Sequence, residues 1–138
     1  MNATMPLNDL KRSPTMSHLI DALKRGEDIG HYGRLTFAMA GHHFLDQHEL
    51  ADLLLKGQGA DEGEMHALVQ QVIERDYSPP KRERIIEWQE HQDFPICPNP
   101  DDPAACNLYS ELDFPEQVYD HIEEYRDHQF QAETDSPG

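Results

Sequence analysis

Apolar residues recur three and four positions apart through most of this 138-residue chain. The clearest stretch is 61–75, an amphipathic segment whose apolar residues recur at helical spacing: Met65, Leu68, Val69, Val72 and Ile73. No segment alternates β-branched and polar residues at the two-residue period of a strand. The pattern therefore predicts an all-α fold, a compact helical domain of about five helices with a long loop rich in proline and aspartate.

Start and stop signals for the predicted helices can be read along the chain. Asp46 and Asp61 are each followed three positions later by a glutamate, which is typical of a helix N-terminus. The predicted helices run from about Met16 to Gly26, His31 to Leu45, Asp46 to Gly57, Asp61 to Arg75, Pro79–Pro80 to about Trp88, and onward from Pro115. Residues 93–114 are predicted to be the loop. The helical domain spans 13–128, after a flexible N-terminus (1–12) and before a disordered tail (129–138).

The chain is strongly acidic. It has 27 acidic residues against 11 lysines and arginines, for a formal net charge of −16. This balance argues against a generic nucleic-acid binder, which needs clustered basic residues to neutralise phosphates. Both a high-salt habitat and simple solubility would explain such a surface. Since neither a signal peptide nor a membrane-length apolar run is present, we expect a cytoplasmic protein without a membrane partner.

The two cysteines, Cys97 and Cys106, lie in a Cys-Pro-Asn-Pro-Asp loop with eight residues between them. Without a secretion signal, a structural disulfide is not expected, and free thiols are the first interpretation. A residual metal site that includes His91 is the alternative, although zinc sites usually have paired cysteines two to four residues apart. The nine histidines are scattered apart from His42 and His43, and their pattern predicts no metal site.

Four separated phrases, taken in order, carry a family resemblance. They are Ser13-Pro14-Thr15-Met16, His31-Tyr32-Gly33-Arg34, Tyr77-Ser78-Pro79-Pro80-Lys81-Arg82 and the segment from Cys97 to Cys106. Their order and intervening lengths resemble the C-terminal domain of the archaeal and eukaryotic DNA primase large subunit, over roughly residues 13–110. In that family four cysteines hold an iron–sulfur cluster.

The resemblance implies that this chain has lost the cluster. Thr15 and Arg82 stand at two of the four ligand positions, and neither supplies the thiolate that such clusters require. No cofactor is therefore expected. We expect Thr15, Arg82, Cys97 and Cys106 to lie near one another still, with Arg82 hydrogen-bonding carbonyls or the acidic loop at Asp101–Asp102.

The resemblance also implies a phosphate-binding site. His31 and Arg34 match the His-x-x-Arg of the family, and Lys24 matches a basic position upstream. Arg34 is expected to bind phosphate, His31 to be a second donor, Lys24 and Arg25 to add charge, and Tyr32 to stack on a base or ribose. The competing interpretation is that Arg34 pairs with Glu27 or Asp28 and that His31 only caps the helix.

The function implied is that of a non-catalytic primase accessory module. It would bind the initiating nucleotide, or the 5′-triphosphate of a primer, together with template, and its partner would be a catalytic primase small subunit or primase-polymerase. No nucleophile motif, Walker-type loop or polymerase carboxylate triplet suggests an enzyme. The alternative function is a protein-interaction module that kept the fold and lost both the cluster and ligand binding.

Overall fold

A computed structural model describes residues 4–112, 114 and 118 of the chain. Across these residues the structure is helical and contains no strand, so the predicted all-α class is confirmed. The described helices are α1 Thr4–Leu10, α2 Pro14–Lys24, α3 Gly30–Gly41, α4 Gln47–Lys56, α5 Glu62–Arg75, α6 Arg82–Gln89 and α7 Leu108–Glu111. The predicted tail (129–138) and the predicted helix from Pro115 lie outside the described residues, apart from Val118.

Helix α3 is the central element. It contacts α2, α4, α5 and α6, and α4 in turn packs against both α2 and α5. Phe37 of α3 is fully buried, as are Leu23 of α2, Leu50 of α4 and Ile85 of α6. Helical periodicity indicated most of this core, although Ile73, which was predicted on the apolar stripe of α5, is 39% exposed.

Capping side chains begin the helices where the sequence indicated. The Asp46 carboxylate accepts a hydrogen bond from the Glu49 N–H at 2.8 Å, and Asp61 accepts from Glu64 at 3.0 Å. At the end of α2, Gly26 takes a positive φ of 75°, a conformation that favours glycine. The two aspartates thereby satisfy amides that the start of a helix leaves unpaired. Gly26 lets the chain turn where α2 ends.

Several predicted boundaries were wrong. The N-terminal segment expected to be flexible contains α1, whose Leu10 is fully buried. Helix α3 ends at Gly41 rather than near Leu45, at a point where a β-carbon on Gly41 would lie 2.9 Å from the Leu50 side chain. Close approach of α4 therefore coincides with the end of α3.

The start of α6 and the predicted loop 93–114 also differ from expectation. Pro79 and Pro80 are buried and precede α6 instead of opening it, since a residue that precedes proline avoids the helical region. The Tyr109 hydroxyl donates to the Pro79 carbonyl. Within the loop, the Asn107 side chain accepts from the Tyr109 N–H and begins the short helix α7.

The cysteines are joined, which corrects the expectation of free thiols. Cys97 and Cys106 form a disulfide with their Cα atoms 5.7 Å apart, and both residues are buried. Neither sulfur is therefore a thiolate that can bind a metal, so the alternative of a residual cysteine metal site is corrected as well. The disulfide closes the loop rich in proline and aspartate at its base.

Arg82 holds the same loop from outside, as predicted. Its Nε donates to the Ala105 carbonyl at 2.9 Å, and its Nη2 donates to the carbonyls of Pro100 at 2.9 Å and Asp102 at 3.2 Å. A planar guanidinium suits this task because its donors are fixed in a fork. One side chain thus satisfies three carbonyls of a segment that has no helix or sheet to satisfy them.

Glu111 ties the loop to the start of the domain. One of its carboxylate oxygens accepts from the Cys106 N–H at 2.9 Å, and the other accepts from the Ser13 hydroxyl. Ser13 is also the cap of α2, accepting from the Met16 N–H at 3.0 Å. Thr15, two residues further on, is buried in α2. We use the name loop junction for three features together: the hydrogen bonds of Arg82, the disulfide, and the hydrogen bonds that Glu111 accepts from Ser13 and Cys106.

Removal of the disulfide should destabilise the fold moderately. Closing a loop of this length contributes about 2–3 kcal/mol to the free energy of unfolding in the chain-entropy account. The double variant Cys97→Ala/Cys106→Ala, measured by urea denaturation, should therefore be less stable by about that amount. Dithiothreitol should destabilise the wild type similarly and leave the double variant unchanged. Wild-type stability that is indifferent to dithiothreitol would contradict the disulfide.

Replacement of Arg82 by methionine should also lower stability. The change keeps an unbranched side chain but removes the Arg82 donors from the Ala105 and Pro100 carbonyls, whereas the Asp102 carbonyl still accepts from the Ala105 N–H. We expect a loss of about 1–3 kcal/mol in urea denaturation. Arg84→Met is the matched control, because Arg84 is an exposed residue of the same helix whose guanidinium lies 6.0 Å from the Trp88 ring centre. Equal losses in both variants would refute a special role for Arg82.

Candidate functional site

The predicted phosphate-binding residues lie where α2 ends and α3 begins. Lys24 is the last residue of α2, Arg25 follows it, and His31, Tyr32 and Arg34 belong to the first turns of α3. The four residues 26–29 connect the two helices. These residues lie in one region because they are close in sequence.

The Asp28 carboxylate occupies the centre of this region. Its Oδ1 accepts from the Gly30 N–H at 2.9 Å and from Arg34 Nη1 at 3.1 Å. The Arg34 side chain is 15% exposed and that of Asp28 is 56% exposed. The pairing of Arg34 with a nearby acid, which was the competing interpretation, is thus present. Asp28 contacts two donors of the kind that bind phosphate, an arginine and a helix N-terminal amide.

The second arginine and the lysine have different surroundings. Arg25 Nε pairs with Glu27 Oε2 at 2.6 Å, with both side chains well exposed. Lys24 is exposed, and the neighbouring Lys11 side chain lowers the pKa of Lys24 through a hydrogen bond and through its charge. Lys56 acts in the same direction through its charge. Three of the four lysines of the chain therefore lie close enough to interact.

His31 and Tyr32 begin an aromatic row. Their ring centres are 5.2 Å apart in an edge-on arrangement, and Tyr32 stacks on Trp88 of α6 with ring centres 5.5 Å apart. His31 is exposed, and Asp28 and Gln92 bind the first amides of α3 in its place. The expectation that His31 caps the helix, the second half of the competing interpretation, was therefore wrong.

Gln92 is a residue of this region that the sequence did not reveal. Its Oε1 accepts from the Tyr32 N–H at 2.9 Å, and its Nε2 donates to the carbonyls of Ile29 at 2.8 Å and Phe94 at 3.0 Å. One amide thereby orders the start of α3 and fixes it to the segment after α6. No local pattern could identify it, because its partner Tyr32 is 60 positions away in sequence.

A groove lies beside the aromatic row. Its volume is about 380 Å³, and its walls come from α3, α5, α6 and the segment after α5. The lining residues are His31, Leu35, Met39, Leu68, Gln71, Tyr77 and Trp88. Apolar walls with a few polar groups at the rim are typical of pockets that bind flat or apolar groups.

A second group of polar side chains lies at the opposite end of α3. Ligand-type atoms of His42, His43 and Asp76 lie within 4.8 Å of one another, and we call these three residues the His–Asp cluster. The two imidazole centres are 3.9 Å apart. Burial, followed by the charge of His42, lowers the pKa of His43 to about 4, whereas Asp76 and the Tyr77 carbonyl act in the opposite direction. The histidine pattern predicted no such grouping.

None of the described helices is long and apolar enough to cross a membrane. Comparison of the chain with protein-family models, with curated proteins and with solved structures finds no match.

Substitution of Gln92 should destabilise the start of α3. Gln92→Ala leaves the Tyr32 N–H and two carbonyls without a partner, and we expect the free energy of unfolding to fall by about 1–3 kcal/mol. Urea denaturation followed by Trp88 fluorescence measures this, since Trp88 stacks on Tyr32. Gln58→Ala, at an exposed position, is the control. A Gln92 variant as stable as the control would refute the role of the amide.

Proposed function

We propose that the chain is a non-catalytic accessory module of a DNA primase, which binds the 5′-triphosphate of an initiating nucleotide or primer at the start of α3. The observation that supports it is the meeting of Arg34 and the Gly30 N–H at a position that the Asp28 carboxylate fills, with His31 next to Gly30 in the chain. The sequence resemblance supplies the class of ligand, and the geometry supplies donors of suitable chemistry.

In this proposal Asp28 is an internal competitor of the ligand. It is a single negative charge on an exposed carboxylate, and it makes one hydrogen bond to Arg34 and one to the Gly30 N–H. A triphosphate carries more charge and more acceptor oxygens, so it gains more from Arg34 and the helix amides. Rotation of the Asp28 side chain towards solvent would vacate the position, and Arg25 would add a second guanidinium.

The aromatic row and the groove suit the rest of the ligand. Tyr32, stacked on Trp88, offers a flat surface next to His31, and aromatic faces bind bases without regard to sequence. The apolar walls at Leu35 and Met39 continue that surface along α3. Template strand and a catalytic primase small subunit, or a primase-polymerase, are the proposed partners. A cytoplasmic location is part of the proposal.

A second function is favoured by the same groove. A protein-interaction module would use the apolar walls to bind the side chains of a partner helix, with Asp28 permanently paired to Arg34. This function predicts no preference for phosphate. The two proposals therefore differ in what Arg34 and Asp28 do.

The proposed function is tested with two oligonucleotides of the same sequence, one with a 5′-triphosphate and one with a 5′-hydroxyl. Fluorescence anisotropy across a salt series should show tighter binding of the triphosphate. Arg34→Ala should weaken triphosphate binding about 10- to 100-fold, because charged hydrogen bonds are lost. Asp28→Asn should strengthen it, because the competing charge is removed while a similar shape is kept.

Arg75→Ala is the matched control. Arg75 is an exposed arginine in the last turn of α5, so its removal changes the net charge equally without touching the start of α3. Its triphosphate affinity should equal that of the wild type. Equal binding by Arg34→Ala and wild type, or no preference for the triphosphate, would refute the proposal and favour the protein-interaction module.

A further inference from the structure

The His–Asp cluster joins two helix ends that are distant in sequence. His42 and His43 follow directly after α3, and Asp76 follows directly after α5. The cluster lies about 18 Å along α3 from Gly30, given the rise of 1.5 Å per residue. It is therefore separate from the groups that the proposed function uses, and its chemistry is argued independently of that function.

The donor set is that of a transition-metal site. Two imidazole nitrogens and one carboxylate oxygen are the usual ligands of Zn²⁺ and of related divalent ions when no thiolate is present. Arginine and lysine, which would repel a cation, are not among the three members. The C-terminus of α3 is the negative end of the helix dipole, which also favours a cation.

One nitrogen of the cluster has no partner within the described part of the chain. His43 Nε2 is buried and makes no hydrogen bond there. A buried polar atom without a partner costs free energy, so its position calls for a ligand. The aromatic ring of Phe114 contacts the His43 ring edge-on, with ring centres 5.6 Å apart. Apolar contact of this kind restricts the imidazole and limits its access to water.

The other two members are oriented by the backbone. His42 Nε2 lies 3.0 Å from the Tyr77 carbonyl, which can only accept, so Nε2 is the donor and Nδ1 is the nitrogen left to bind a metal. Histidine ligands of metals commonly make such an outer hydrogen bond. The Asp76 backbone N–H bonds the Ile73 and Val72 carbonyls, which fixes the residue to the end of α5.

We propose that His42, His43 and Asp76 bind a divalent cation of the zinc class, with water in the fourth position. In a tetrahedral site with bonds of about 2.1 Å, ligand atoms are roughly 3.4 Å apart. The cluster, with its atoms within 4.8 Å, needs a modest contraction to reach this spacing. Asp76 is exposed and can supply that movement by rotating its side chain. The cation would link the end of α3 to the end of α5.

The proposal is tested by isothermal titration calorimetry of the metal-free full chain with ZnCl₂. CoCl₂ in parallel reports geometry, since tetrahedral cobalt has intense visible absorption. We expect one high-affinity ion per chain, and a melting temperature that rises with free Zn²⁺. Loss of an outer hydrogen bond to a metal ligand costs about 10- to 100-fold in affinity. Three variants remove a ligand itself, and each should lower Zn²⁺ affinity at least that much: His43→Gln, His42→Gln and Asp76→Asn.

His91→Gln is the matched control, because His91 is an exposed histidine outside the cluster. Its affinity for Zn²⁺ should equal that of the wild type. Asp76→Asn keeps the test valid if a histidine variant fails to fold, since Asp76 is exposed and its backbone bonds do not depend on the side chain. Absence of Zn²⁺ and Co²⁺ binding by the wild type, or binding that none of the three variants weakens, would overturn the proposal.

Discussion

The fold depends on how the segment between α6 and α7 satisfies its backbone. This segment has no helix or sheet partner, yet Ile96, Cys97 and Cys106 within it are buried. Buried carbonyls and amides without partners would cost more than the apolar contacts contribute. The loop junction solves this with side chains: Arg82 supplies donors, Glu111 supplies acceptors, and the disulfide limits how far the loop can open.

The same junction connects the two ends of the domain. Glu111 contacts both Cys106 and Ser13, which are 93 positions apart, so the start of α2 is anchored by the loop. If the proposed relationship to the primase family holds, an iron–sulfur cluster would make such a connection in the relatives. The proposed relationship accounts for the place of Arg82: a side chain that cannot bind a cluster instead donates to three carbonyls of the loop.

Both candidate sites lie at the ends of helix α3, and the two ends attract ligands of opposite charge. The amides at its start attract Asp28 and Gln92, and the proposed triphosphate would take the place of Asp28. The carbonyls at its end favour the cation that we propose for the His–Asp cluster. Contact with four other helices holds α3 in place.

The sequence by itself determined the helices and the short-range contacts. Helical spacing of apolar residues indicated the core, and Asp46, Asp61 and Gly26 marked helix ends, because caps and turns depend on residues three or four positions apart. Asp28 lies six positions before Arg34, so their pairing could also be foreseen from the sequence. Only the tertiary structure decided the disulfide, the bonds of Gln92 and the meeting of His43 with Asp76. Helix packing brings His43 to Asp76 and Gln92 to Tyr32, and the disulfide depends on how the loop between α6 and α7 closes, so no local pattern encodes these partners.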